Sequence, residues 1–76
     1  MPRLSALSGS QVARALERGG FAWRRRVGSH GILKYPDTRR TVAVPLHGAR
    51  DFPAGTLPSI VRDAGLTVDE FIRLLR

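Results

Sequence analysis

"FAWRRRVGSHGILKYPDTRRTVAVP", Phe21 to Pro45, is the stretch whose reading decides the fold of this chain. It contains three short runs rich in β-branched and aromatic residues. They are parted by Gly28-Ser29 and by Pro36-Asp37-Thr38, both of them turn-forming segments. The first run alternates Phe21, Trp23, Arg25 and Val27 against Ala22, Arg24 and Arg26, the period-two pattern of a half-buried strand. "GILKY" and "RRTVAVP" supply the other two runs. The expectation is an antiparallel meander with strands near 21–27, 31–35 and 40–44, ended by Pro45.

Helical patterns flank the meander. In "SGSQVARALERGG", Ser8 as N-cap and Gln11 three residues on make a capping box, and Leu7 is placed to staple onto Val12. Val12, Ala13, Ala15 and Leu16 form a narrow apolar stripe, Arg14, Glu17 and Arg18 face outward, and Gly19-Gly20 stops the helix. After a loop, "LHGARDFPAG", that carries His47, the residues Leu57, Ile60, Val61 and Ala64 follow helical spacing behind Thr56, and Gly65 closes that segment. Thr67 and Glu70 make a second capping box, with Val68, Phe71, Ile72 and Leu75 repeating the spacing. The element order predicted is αβββα with a short extra C-terminal helix, an α+β fold in a single domain over 1–76. Helices cover one face of such a three-stranded sheet and leave the other open.

Composition narrows the chemistry. The chain has 76 residues and no cysteine, so it has neither a disulfide framework nor a thiolate metal site, and its core must come from the 42% hydrophobic residues. No apolar run approaches the roughly 20 residues that span a bilayer, and the N-terminal residues carry no apolar secretory segment; a cytoplasmic protein with no membrane partner is expected. Thirteen Lys and Arg against six Asp and Glu give +7, of which Lys34 is the only lysine. That excess is not needed for folding and suits a polyanion.

No Walker or dinucleotide glycine motif is present, no CxxC or HExxH spacing, and few carboxylates lie near the histidines; no cofactor and no metal are expected. Asp37 and Asp51 read as turn residues. What remains is Ser29, His30, Lys34, Tyr35, His47 and the arginines. A histidine is sufficient for RNA cleavage, because RNA carries its own nucleophile: a neutral imidazole removes the 2′-hydroxyl proton while cations stabilise the phosphate charge. The residue pattern alone leaves His30 open between a general base and a solvated turn residue. It leaves the arginine run open between phosphate contacts and a charged strand edge that guards against aggregation. Trp23 and Phe21 are similarly open between core packing and base stacking.

Three blocks carry a resemblance: "GSQVARALERGGFAWRRRVGSHGILKYP", "TVAVPLHG" and "GTLPSIVRDAGLTVDEFIRLL". In this order and spacing the chain resembles the HicA family of toxin–antitoxin ribonucleases over almost its full length. The shared pieces are a helix ending in Gly-Gly-Phe, Gly-Ser-His entering the second strand, Pro-x-His-Gly, and Gly-Thr-Leu opening a helix. The resemblance implies a fold like a double-stranded-RNA-binding domain and an mRNA-cleaving endoribonuclease toxin that needs no metal. It also implies a partner, a HicB-like antitoxin, that silences it. The family's catalytic histidine falls on His30, with Gly28 and Ser29 shaping its turn and His47 in a supporting role. The site expected from both lines is His30 as base, Arg24, Arg26, Ser29 and Lys34 as RNA contacts, and Gly28 and His47 as support. The chain departs from the family's frequent lysines in the loop after Gly48, where "ARDFPAG" carries little charge. A non-catalytic RNA-binding module on the same fold is the alternative.

Overall fold

The computed structural model describes residues 7–37, 39–46 and 56–75. Within them the chain runs α1 (Gly9–Arg18), β1 (Ala22–Val27), β2 (His30–Tyr35), β3 (Arg40–Pro45), α2 (Thr56–Asp63) and α3 (Val68–Leu74). This is the expected α+β order. His47, Asp51 and most of the loop that holds them lie outside the described residues.

Local sequence sets the helix ends. Ser8 Oγ accepts from the Gln11 amide at 3.3 Å and Gln11 Oε1 accepts from the Ser8 amide at 2.8 Å, so two otherwise orphaned donors are satisfied. At the other end Gly20 takes φ 103°, the Gly20 amide donates to the Glu17 carbonyl and the Phe21 amide to the Leu16 carbonyl. That pair of bonds is a Schellman motif, which needs a left-handed residue and therefore selects glycine. α2 ends in the same way: Gly65 has φ 76°, and the Gly65 and Leu66 amides donate to the Arg62 and Val61 carbonyls. Thr67 and Glu70 close their capping box around the start of α3, at 3.1 and 2.8 Å.

β1 pairs with β2 and β2 with β3, all antiparallel, in the order β1-β2-β3. The Gly28-Ser29 loop has a positive φ, 58°, at its first residue only, the pattern of a type II′ hairpin turn. The Ser29 carbonyl also accepts from the Leu46 amide at 2.6 Å, which ties this turn to the end of β3. Between β2 and β3, Arg39 adopts φ 58° and its amide donates to the Tyr35 carbonyl at 2.8 Å.

The core lies between one face of the sheet and the helices. Val12, Ala15 and Leu16 of α1, Leu33 of β2, Val42 and Val44 of β3, Leu57, Ile60 and Val61 of α2 and Phe71 of α3 are all buried. Each large apolar side chain among them contributes about 1.5–3 kcal/mol relative to leaving it in water. α1 packs on β2 and β3, and α2 on β3, while every residue of β1 is exposed. Arg18 Nη1 donates to the Leu74 carbonyl at 2.7 Å, so a cation of α1 caps the end of α3. One expectation fails here: Val68 is 46% exposed, because α3 docks through Phe71 and its last turn and leaves its first residue outside the contact.

Candidate functional site on the open sheet face

Residues opposite one another in an antiparallel ladder share a face. Trp23 stands opposite Leu33, and Arg26 opposite Gly31, on the helix side. Ala22 stands opposite Lys34, Arg25 opposite Ile32 and Val27 opposite His30, on the side that no helix among the described residues covers, the bare side. The strict alternation expected of β1 would have put Trp23 with Arg25, and it is broken by a register shift between Trp23 and Arg25. Arg24 is the extra residue of this β-bulge, which re-aims the side chains after it. Nothing in "WRRRV" marks which arginine bulges, so periodicity alone could not place the three guanidinium groups.

The bulge divides the arginines. Arg24, Arg25 and Lys34 line one shallow groove with Ile32 and Thr41, and Arg24 and Lys34 line a second with Arg39. Arg24 and Lys34, both expected from sequence, are therefore brought together, and Arg25 and Arg39 join them without having been singled out. Arg26 is directed to the other face, where its Nε donates to the Gly28 carbonyl at 3.1 Å. Its guanidinium supports the hairpin turn from the helix side.

His30 opens β2 on the bare face, exposed, between Val27 of β1 and Pro45 of β3. Its position follows from the turn: Gly28 allows the tight hairpin, the Ser29 carbonyl is anchored to Leu46, and the buried Gly31 fixes the alternation that sends His30 outward. Lys34 lies four residues along β2, about 13 Å away, so the main cation groove is set back from the histidine. Arg25 is closer. It is the diagonal neighbour of His30 on the same face, at a Cα spacing of about 7–8 Å that a long side chain bridges. Ser29 is half-buried in the turn, contributing its carbonyl to the fold. Among the described residues, no group of three His, Asp or Glu side chains gathers in a way that could hold a metal ion. Nor is any helix among them long and apolar enough to cross a membrane.

A sheet with helices on one face, and on the other, among the described residues, a histidine diagonal to an arginine and a cationic groove farther along, defines a class of small basic α+β protein with a charged sheet face. Within that class the sequence is specific. The model of the family described as "HicA toxin of bacterial toxin-antitoxin" matches residues 9–66, more than half of the chain, and the chain belongs to that family. Membership carries a toxin role and, in general, a cognate antitoxin. No curated protein matches the chain.

Proposed function

We propose that this toxin is an endoribonuclease that cleaves mRNA at His30. The observation that carries the reading is the placement of His30 and Arg25 as diagonal neighbours on the bare sheet face. In this scheme the His30 imidazole takes the proton of a 2′-hydroxyl, and the 2′-oxygen attacks the adjacent phosphorus. The bond to the 5′-oxygen breaks, and that oxygen leaves with a proton from water. The products are a 2′,3′-cyclic phosphate and a 5′-hydroxyl. Arg25 is placed to stabilise the charge that grows on the phosphate, where a fixed cation is most effective. Arg24, Lys34 and Arg39 hold the neighbouring phosphates and supply the salt-dependent part of the affinity. Arg26 belongs to the support of the turn rather than to this path.

The +7 charge and the exposed site also favour an acidic, HicB-like antitoxin that covers His30 and meets the arginines with carboxylates, which speeds association as well as holding the complex. The test is cleavage of a defined RNA in the presence of a chelator by the wild type and by His30→Ala, with thermal melts alongside. General-base catalysis contributes typically about 10²–10⁴-fold, so the variant should melt like the wild type and lose that much activity. A normally folded His30→Ala protein that cuts at the wild-type rate would leave only RNA binding to the bare face.

A further inference from the structure

His30 lines a shallow depression of about 560 Å³ that the cleavage chemistry leaves unexplained. Its apolar lining residues are Ala43 and Pro45 of β3 and Ile60 of α2. Its polar lining residues are His30 of β2 and Thr56, Ser59 and Asp63 of α2. The depression is open, so a ligand would rest on its lining by one face rather than be enclosed, and its lining combines apolar contacts with a few polar groups.

A general base works within hydrogen-bond reach of its proton, about 2.6–3.2 Å. If His30 is that base, the ribose at the cut rests against it, and the attached base has two directions on the open face. Toward β1 it meets Val27 and Arg25, the cation required at the phosphate. Toward β3 and α2 it meets the depression, where Ala43, Pro45 and Ile60 offer apolar contacts to the flat face of a nucleobase.

Asp63 then becomes informative. It is an exposed acid beside the anion-binding face of a chain with net charge +7. It is the last residue of α2, where negative charge opposes the helix macrodipole, so helix stability does not account for it. Its carbonyl accepts from Arg40 Nη1 at 3.3 Å, while among the described residues its carboxylate accepts no hydrogen bond. A carboxylate here repels phosphate and is satisfied by N–H donors on a base edge. Guanine alone presents two parallel N–H donors, N1–H and N2–H, to match two carboxylate oxygens. Bases splayed from a single strand are read in this way on their Watson–Crick edges.

We propose that this depression binds the base of the nucleotide whose 2′-hydroxyl faces His30, and that Asp63 selects guanine there. The inference rests on the reading of His30 as the base of an RNA-cleaving site. The experiment uses short DNA oligonucleotides with a single ribonucleotide, G, A, C or U, as cleavage substrates, and the all-deoxy versions of the same four sequences as uncut binding ligands. The wild type should bind and cut the G oligonucleotide at least about tenfold better than the U oligonucleotide, the discrimination of one good bidentate contact. In Asp63→Ala that ratio should fall to about twofold or less. Asp63→Asn, which keeps the shape and loses one acceptor, should give an intermediate ratio. Cleavage without base preference, or a preference that survives in Asp63→Ala, overturns the subsite and leaves the cleavage reading standing. Guanine-selective binding that depends on Asp63, with no cleavage, supports the subsite and removes the cleavage reading.

Discussion

The indole of Trp23 lies across the backbone of Gly31, on the helix side of the sheet: a Cβ built on Gly31 would stand 2.5 Å from Cη2 and 2.6 Å from Cζ3 of the ring. Trp23 is 42% exposed, and the strand position next to His30 is thus kept bare of a side chain so that an aromatic ring can cover it.

Gly31→Ala must push that ring away. A strand alanine recovers about 0.5–1 kcal/mol of backbone entropy relative to glycine, and the displaced ring loses more than this in buried apolar area at about 25 cal/mol per Å². The expected net loss is about 1–2 kcal/mol, read as a lowered melting temperature. In the Trp23→Ala background the same change should cost far less, since the obstacle is gone. Additive losses in the double variant would show that the two residues do not interact.

Gly9→Ala should reverse its usual sign. Intrinsic propensity favours alanine over glycine in a helix by about 1 kcal/mol. Here a Cβ on Gly9 runs into the Pro45 carbonyl oxygen and lies 3.1 Å from Leu46 Cα, and main chain cannot swing aside as an indole can. We expect a loss of about 2–3 kcal/mol, lowering the melting temperature of so small a domain by about 10 °C or more. A variant that melts higher than the wild type would mean that α1 does not press on the end of β3.

The divided arginines predict an ordered set of RNA affinities. Each phosphate contact on a single strand adds about −0.7 to the slope of log affinity against log salt. Arg25→Ala and Arg24→Ala should each flatten the slope by about that amount, while Arg26→Ala, on the other face, should change it little. Equal flattening by all three would contradict the bulge.

Arg39 combines strain with charge. A non-glycine residue at φ 58° costs about 1–2 kcal/mol, and glycine there gives back about 0.4–1 kcal/mol through the freedom it adds to the unfolded chain. Arg39→Gly should therefore stabilise the protein by about 0.5–1 kcal/mol and weaken RNA binding, because the cation beside Arg24 and Lys34 is lost. Thermal melts and a binding titration on the same sample test both halves. A variant that melts lower and binds RNA as tightly as the wild type would refute them.

What the sequence determined by itself was the local grammar of the chain. The Ser8–Gln11 and Thr67–Glu70 boxes, the stops at Gly20 and Gly65, the Gly28-Ser29 turn and the apolar stripes each depend on residues a few positions apart. Their physics is complete within that window, so they fixed the element order. The outward placement of His30 was also within reach, because it follows from a short turn and period-two alternation. The tertiary structure decided whatever depends on pairing across strands or on packing between elements. The bulge at Arg24 exists only relative to the register of β2, and it exchanges Arg26 for Arg25 beside His30. The requirement for glycine at positions 9 and 31 comes from atoms 36 and eight residues away, the Pro45 carbonyl and the Trp23 ring. Asp63 meets the histidine's depression only because α2 packs along β3. Hydrogen-bond register and close packing are properties of two segments at once, and a pattern read along one segment carries no term for the other.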